Sequence, residues 1–175
     1  MRLQRTSIDL AEPICSNDPG LLDSRLADCL DLQTQIKQNP CHVKGQYFSG
    51  LHRLFDDINE EVEHNLDTIA ERAEYLGGTL EETTRALAAK SSLLESPVTL
   101  GSGRDQVTSL ADSLASFRRN VRQAIGQANE VGDAVAAGVL AQVSRGIDRW
   151  LWMVQANLQD DGPFSPNPMS LSLVQ

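Results

Sequence analysis

The strongest pattern of apolar and polar positions in this chain of 175 residues lies between residues 46 and 76. Apolar side chains recur there at steps of three and four, which places them along one face of an α-helix. These positions are Leu51, Leu54, Phe55, Ile58, Val62, Leu66, Ile69 and Ala73. The pattern predicts one long amphipathic helix, and Gly77 and Gly78 behind it form a natural C-terminal stop.

Three further stretches carry apolar residues at the same spacing and predict three more helices. They cover residues 21 to 38, 107 to 125 and 139 to 158. Asp18 and Pro19 provide a start signal for the first helix, and Pro40 ends it because proline disfavours helix in the residue before it. Gly132 separates the last two helices. The chain is therefore expected to be all-α.

The connection between the second and third helices carries its own start signal. Thr79 is followed three positions later by Glu82, which is the spacing of a capping box. We therefore expect a short helix over residues 82 to 95. Residues 1 to 18 and 160 to 175 are predicted to be tails, so that residues 19 to 159 form the single folded domain.

The polar face of the second helix carries the candidate chemistry. At about 100° per residue, a set of ionisable side chains falls within an arc of about 120° opposite the apolar stripe. The set consists of His52, Asp56, Glu60, Glu63, His64, Asp67 and Glu71. Acids alone would be interpreted as a solvated face. Two histidines in register with them favour a metal site instead, because imidazole with carboxylate suits iron, zinc and manganese.

The length of this helix prevents one copy of it from closing one site with both ends. His52 and Glu71 are 19 positions apart, or roughly 28 Å along a helix axis. Two copies packed antiparallel about a two-fold axis near residues 61 and 62 would place His52 level with Glu71 of the partner. Asp56 would then lie level with the partner's Asp67. Such a pair contains two identical sites, each shared between two subunits.

Composition restricts the partners and the location of the protein. A net charge of −9 argues against general affinity for nucleic acid and suits a protein that collects cations. DNA is therefore not an expected partner. Cys15, Cys29 and Cys41 are odd in number and show no CxxC spacing, so a disulfide framework is not expected and a cytoplasmic location is the simplest. Neither a signal peptide nor an apolar run of about 20 residues is present, so no membrane association is expected.

Several motifs together resemble a known family. VKG-x-x-F-x-x-LH-x-x-F at residues 43 to 55 is followed by D-x-x-A-E-R at residues 67 to 72, then by GRDQV and VSRGID. Over residues 20 to 160 this order resembles the Dps proteins, or mini-ferritins. The resemblance implies a ferritin-like four-helix bundle that assembles through two-fold dimers into a hollow dodecamer. It also implies oxidation of Fe(II), by hydrogen peroxide or dioxygen, at sites shared across the two-fold, with storage of the ferric product.

The resemblance also implies which residues bind iron. The principal ligands are expected to be His52, Asp56, Asp67 and Glu71. The family usually has His-Trp just before the VKG turn, whereas this chain has Pro40-Cys41, so one ligand is missing. His42, two residues later, and His64 are secondary candidates in a histidine-enriched version of the site. The alternative is a catalytically weakened shell whose shared site holds zinc structurally.

Two other acidic groups are candidates for iron transfer. Glu60 and Glu63 either pass iron towards a mineral core or belong to a solvated face. Glu130 and Asp133 stand where the family often has an acidic three-fold pore, although few acids follow them here. Electrostatic attraction through such a pore would be weakened.

Overall fold

The computed structural model describes residues 2–3, 12–38, 48–79, 87, 89–96 and 102–159. Four helices dominate this part of the chain, and they pack together as one bundle. They are α1 (Glu12–Gln38), α2 (Phe48–Tyr75), α3 (Gly103–Val131) and α4 (Ala134–Ala156). Two short strands, β1 (Arg2–Leu3) and β2 (Gly78–Thr79), pair antiparallel. The predicted all-α four-helix bundle is confirmed.

The apolar stripes of the four helices meet in one core. In α2, six of the eight predicted apolar positions are buried, while Leu54 and Leu66 are partly buried and pack against the same core. α1 packs against α2 and α3, and α4 packs against α3 and α2. Phe55 and Phe117 are the largest fully buried side chains. Because α2 uses one face for this packing, its opposite face remains on the surface.

The helix ends follow local rules, with one difference from expectation. α1 begins at Glu12, earlier than the predicted start at Asp18. Pro13 lies in its first turn, where the missing N–H has no partner to lose, whereas Pro19 removes one hydrogen bond inside the helix. α2 ends where predicted, since Gly77 adopts a left-handed conformation with φ of 84°.

The connection between α2 and α3 departs from the predicted helix over residues 82 to 95. Leu87 is helical, residues 89 and 90 form a turn, and residues 91 to 96 are not helical. The prediction is therefore wrong for its C-terminal part, and residues 82 to 86 and 88 lie outside the described residues. The cause is a competing partner. The backbone N–H of Ser92 donates to Asp28 Oδ1 at 2.7 Å instead of to a helical carbonyl.

Asp28 is a fully buried carboxylate that joins three parts of the bundle. Besides Ser92 it accepts hydrogen bonds from Asn120 Nδ2 of α3 at 2.9 Å, and it pairs with Arg25 at 3.1 Å. Burial lowers the pKa of Arg25, and the charge of Asp28 opposes that shift. This network holds the connection against α1 and α3.

None of the described helices is both long and apolar enough to cross a membrane.

Candidate metal centre

All seven ionisable side chains predicted for the polar face of α2 are exposed. They are His52, Asp56, Glu60, Glu63, His64, Asp67 and Glu71. Their common orientation follows from the helical repeat, because the apolar positions of α2 turn towards α1 and α4. The part of the chain that the structure describes therefore leaves this face uncovered along its whole length.

The N-terminal half of the face contains a preformed pair. His52 Nδ1 lies 2.8 Å from Asp56 Oδ2, one helical turn away, and the two side chains are 46% and 64% exposed. A carboxylate in this position fixes the orientation of an imidazole ring, as it does for histidines that bind metals. The structure thus brings together two of the four predicted principal ligands.

Three residues that the sequence analysis did not single out surround this pair. Ser49, Arg53 and Asp57 line the same surface depression as His52 and Asp56. Their spacing from His52 and Asp56, within one or two turns of α2, could have predicted from the sequence that they lie beside this pair. Arg53 places a positive charge beside the prospective cation site.

The C-terminal half of the face holds the other two predicted principal ligands. Asp67 lies 11 positions after Asp56, which corresponds to roughly 16 Å along the helix, and Glu71 is one turn further. Among the described residues, no three His, Cys, Asp or Glu side chains converge to hold a metal ion. The described part of one subunit therefore does not bring Asp67 or Glu71 to His52.

The secondary candidates have different outcomes. His64 is exposed, and its backbone carbonyl accepts a hydrogen bond from Thr68 Oγ1 at 2.9 Å, which is ordinary helix-surface geometry. His42 lies outside the described residues, as do Pro40 and Cys41.

Glu130 is exposed on α3, whereas Asp133 is 1% exposed and pairs with Arg72. Asp133 is therefore not presented to solvent as an acidic pore residue within one subunit.

A second kind of iron site, a di-iron centre inside the bundle, would require inward-pointing ligands on the helices. Ferritin-like di-iron centres inside a bundle use glutamates together with Glu-x-x-His pairs that point inward. Among the described residues, the only buried carboxylates are Asp28 and Asp133, and each is paired with an arginine. The one Glu-x-x-His sequence, Glu61 to His64, does not point inward as a unit, because His64 is exposed.

Glu61 instead forms a contact between α2 and α4. Its Oε2 accepts a hydrogen bond from Arg149 Nη2 at 2.9 Å. Gly146 makes room for this carboxylate, since a Cβ at that position would lie 2.3 Å from Glu61 Oε1. Glu61 therefore contributes to the packing of α2 against α4. The described residues form no internal di-iron centre.

Cys29 lies behind the polar face rather than on it. Its thiol is buried and donates to the carbonyl oxygen of Val62 at 3.3 Å. Burial raises the pKa of Cys29 well above its usual range, and the nearby charges of Asp28 and Asp67 raise it further. Because the thiolate is the form that binds metal, Cys29 is a packing residue and not a ligand.

Comparison with known proteins places this arrangement in a family. The ferritin-like domain matches residues 20–162 of the chain. The DNA protection during starvation protein of Agrobacterium fabrum is 30% identical over 160 residues, which cover 91% of this chain and 99% of that protein. The chain belongs to the Dps family of ferritin-like proteins. This confirms the family resemblance, while the histidine-enriched version of the site stays a prediction.

Solved structures of Dps proteins share the fold. DpsC from Streptomyces coelicolor superposes with a TM-score of 0.84 at 23% identity, covering 90% of this chain and 92% of that one. A Dps protein from Vibrio cholerae, described as a member of a broad superfamily of ferritin-like diiron-carboxylate proteins, gives a TM-score of 0.81 at 19% identity, with coverage of 91% and 100%. At these identities the likeness establishes the fold alone.

Proposed function

We propose that this Dps-family protein is a ferroxidase and iron-storage protein that oxidises Fe(II) at sites shared by two subunits. One observation carries the proposal. α2 presents an exposed His52–Asp56 pair near one end and exposed Asp67 and Glu71 near the other, and the described residues of a single chain leave both half-sites incomplete. Membership of the ferritin-like Dps family supports an iron-storage function of the ferroxidase type in general.

A second copy of the chain completes each half-site. With a two-fold axis near residues 61 and 62, His52 and Asp56 lie level with Glu71 and Asp67 of the partner subunit. The resulting ligand set is one imidazole and up to three carboxylates. This mixture suits Fe(II), and the carboxylates favour the more highly charged Fe(III) product. His42 and His64 are proposed as secondary ligands: His42 in place of the ligand lost at Pro40, and His64 only in an outer position, because it lies further from the site centre.

The reaction balances with either proposed oxidant. With hydrogen peroxide, two Fe(II) ions lose one electron each and the O–O bond of one peroxide breaks. Two water molecules are also consumed, and the products are two FeOOH units and four protons. Dioxygen would accept four electrons from four Fe(II) ions to give the same ferric product. The role of the chain is to hold Fe(II) beside the oxidant and to neutralise charge as it develops on the metal.

The proposed assembly is the hollow dodecamer of the Dps family, since two-fold dimers supply the shared sites and a closed shell supplies the storage volume. A stable monomer at micromolar concentration, measured by light scattering or sedimentation, would contradict the whole scheme. A retained dodecamer with no oxidation would contradict only its chemistry.

The direct experiment is anaerobic loading of the shell with Fe(II), followed by addition of hydrogen peroxide or dioxygen in separate samples. We expect a fast rise in ferric absorbance with at least one oxidant. The matched control is His52→Ala, which should lose the fast phase. Parental kinetics in His52→Ala would exclude the proposed site.

Sharing of the site between subunits has its own test by complementation. Co-expression of His52→Ala and Glu71→Ala chains yields mixed dimers in which one site has both residues intact and the other has neither. Random pairing should therefore restore about a quarter of the parental rate, although each variant alone is inactive. Ligands supplied by one subunit would give no restoration at any mixing ratio.

The second candidate function is a shell whose shared site holds zinc for assembly. Two exposed histidines on one helix face favour it, because zinc accepts nitrogen ligands readily. Stoichiometric zinc that resists Fe(II) competition, together with no oxidation by either oxidant, would support this candidate over the ferroxidase.

Direct binding of DNA is not part of the proposal. Removing Fe(II) and peroxide would protect DNA without contact, because both are consumed in the reaction. A chain with net charge −9 has few cations for phosphate neutralisation. We expect no gel shift at physiological salt and sub-micromolar protein, and a clear shift would show that contact contributes.

A further inference from the structure

The last turn of α2 is tied to the start of α4 by a buried ion pair. Arg72 Nη2 donates to Asp133 Oδ2 at 2.5 Å, and the two side chains are 8% and 1% exposed. The other oxygen of the same carboxylate caps α4, since Asp133 Oδ1 accepts from the backbone N–H groups of Val135 at 3.0 Å and Ala136 at 2.8 Å. One carboxylate therefore connects two helix ends that are 61 residues apart in the sequence.

Glu71 is the neighbour of Arg72 and lies four residues before α2 ends at Tyr75. Its exposed side chain has no described partner that holds it in place, so its position depends on the backbone of this last turn. Terminal turns of helices fray unless something anchors them. Here the anchors are the buried side chains of Ala73 and Leu76 and the Arg72–Asp133 pair.

We propose that Arg72 and Asp133 are positioning residues for Glu71 in the shared metal site. This inference rests on the proposed function. It also assigns Asp133 a role different from that of a pore acid, because both its carboxylate oxygens are engaged inside the subunit.

The proposal follows from the precision that a site shared between subunits requires. Glu71 must meet a metal held by His52 of the partner subunit, and productive geometry is typically kept within about 0.5 Å. A displacement of about 1 Å at a reacting group can cost roughly a hundredfold in rate. A last turn held by a buried ion pair meets that requirement, whereas a frayed turn does not.

The test measures equilibrium binding of Co²⁺ to assembled shells without oxidant. The result then does not depend on how fast metal enters the shell or on how fast iron is oxidised. The variants are Arg72→Gln, which removes the ion pair, and Asp133→Asn, which keeps an oxygen for the helix cap while removing the charge. The matched control is Arg25→Gln, which breaks the other ion pair between an arginine and a buried aspartate and leaves the Arg72–Asp133 pair intact. Thermal stability and shell size are measured for every variant.

We expect Arg72→Gln and Asp133→Asn to weaken Co²⁺ binding at the His52-dependent site about tenfold or more, as loss of supporting groups does in other metal sites. Arg25→Gln should lower thermal stability comparably and change that affinity less than about twofold. Parental affinity in both site-side variants, or equal weakening in Arg25→Gln, would overturn the inference. If Arg72→Gln fails to assemble, Asp133→Asn decides the question alone.

Two other outcomes are distinguishable. In the first, the Asp133→Asn shell binds Co²⁺ with parental affinity but oxidises Fe(II) slowly, and only at low iron concentration. This result would make Asp133 an iron-access residue and would contradict the positioning role. In the second, His52→Ala does not reduce Co²⁺ binding to the shell. This result would contradict the proposed function itself, before the other variants are compared.

Discussion

Asp28 and Asp67 are both close enough to Cys29 to affect the pKa of its buried thiol, yet the two carboxylates have opposite surroundings. Asp28 is 0% exposed and is bound by Arg25, Asn120 and the connection at Ser92. Asp67 lies exposed on α2, with no hydrogen bond or ion pair to any described residue.

This difference separates carboxylates that hold the fold together from carboxylates that remain available for a ligand. A buried charge requires partners from its own chain, because desolvation is not otherwise compensated. An exposed carboxylate needs none, since water solvates it. Among the described residues, Glu60, Glu63, Asp67 and Glu71 form no such contacts, and all four lie on the polar face of α2, which a second subunit would meet in the proposed dimer.

The largest expected effect is on stability when the buried network is broken. Asp28→Ala leaves the partly buried Arg25 without its counter-charge and should lower the free energy of unfolding by about 3 kcal/mol. The midpoint of thermal unfolding measures the effect. The comparison variant is Asp67→Ala, which should shift that midpoint by only a degree or two. Equal shifts in the two variants would show that Asp28 contributes no more to folding than Asp67 does.

The next effect is a loss of Fe(II) oxidation rate with no loss of folding stability. His52→Ala should slow Fe(II) oxidation about a hundredfold or more, at the upper end of the losses seen when groups that support a metal are removed. The thermal midpoint and shell size should stay near parental values, because His52 is outside the apolar stripe. Stopped-flow ferric absorbance measures the rate. A variant that loses activity only because its shell dissociates would leave the role of His52 as a ligand unsupported.

A smaller effect separates the two secondary ligand candidates, His42 and His64. If His42 replaces the ligand lost at Pro40, His42→Ala should cost about tenfold or more in rate or metal affinity. His64→Ala should cost less, because His64 lies further along the helix from the site centre. Both are measured under one oxidant. Parental kinetics in His42→Ala would end the idea of a rearranged site.

The smallest effect is a pH dependence that comes from Cys29. Its thiol pKa is raised in the folded protein by burial and then by Asp28 and Asp67, so folding favours the neutral form. The stabilising contribution is present below the unfolded pKa of about 8.5 and declines as pH rises above it. Thermal midpoints of the parent and Cys29→Ala, measured from pH 7 to pH 10, should diverge in slope above that value. Parallel slopes would show that the thiol does not ionise on unfolding.

The sequence alone determined the four helices and the exposed face of α2. Apolar positions at steps of three and four, left-handed Gly77 and the Dps-like motifs are local properties, and the helical repeat converts them directly into faces. For the same reason the spacing between His52 and Glu71 led to the proposal of a site shared with a second subunit.

Tertiary structure alone decided which polar residues are buried. Asp28 and Asp133 resemble the exposed acids in sequence, but α1–α3 packing buries one and the meeting of α2 with α4 buries the other. Arg72 and Asp133 are 61 residues apart, and Glu61 reaches Arg149 across 88 residues. No local pattern records such pairs, because partner choice depends on how the helices pack. The predicted short helix does not continue to residue 95 for the same reason, since Asp28 on α1 accepts the backbone N–H of Ser92 that the helix would have used.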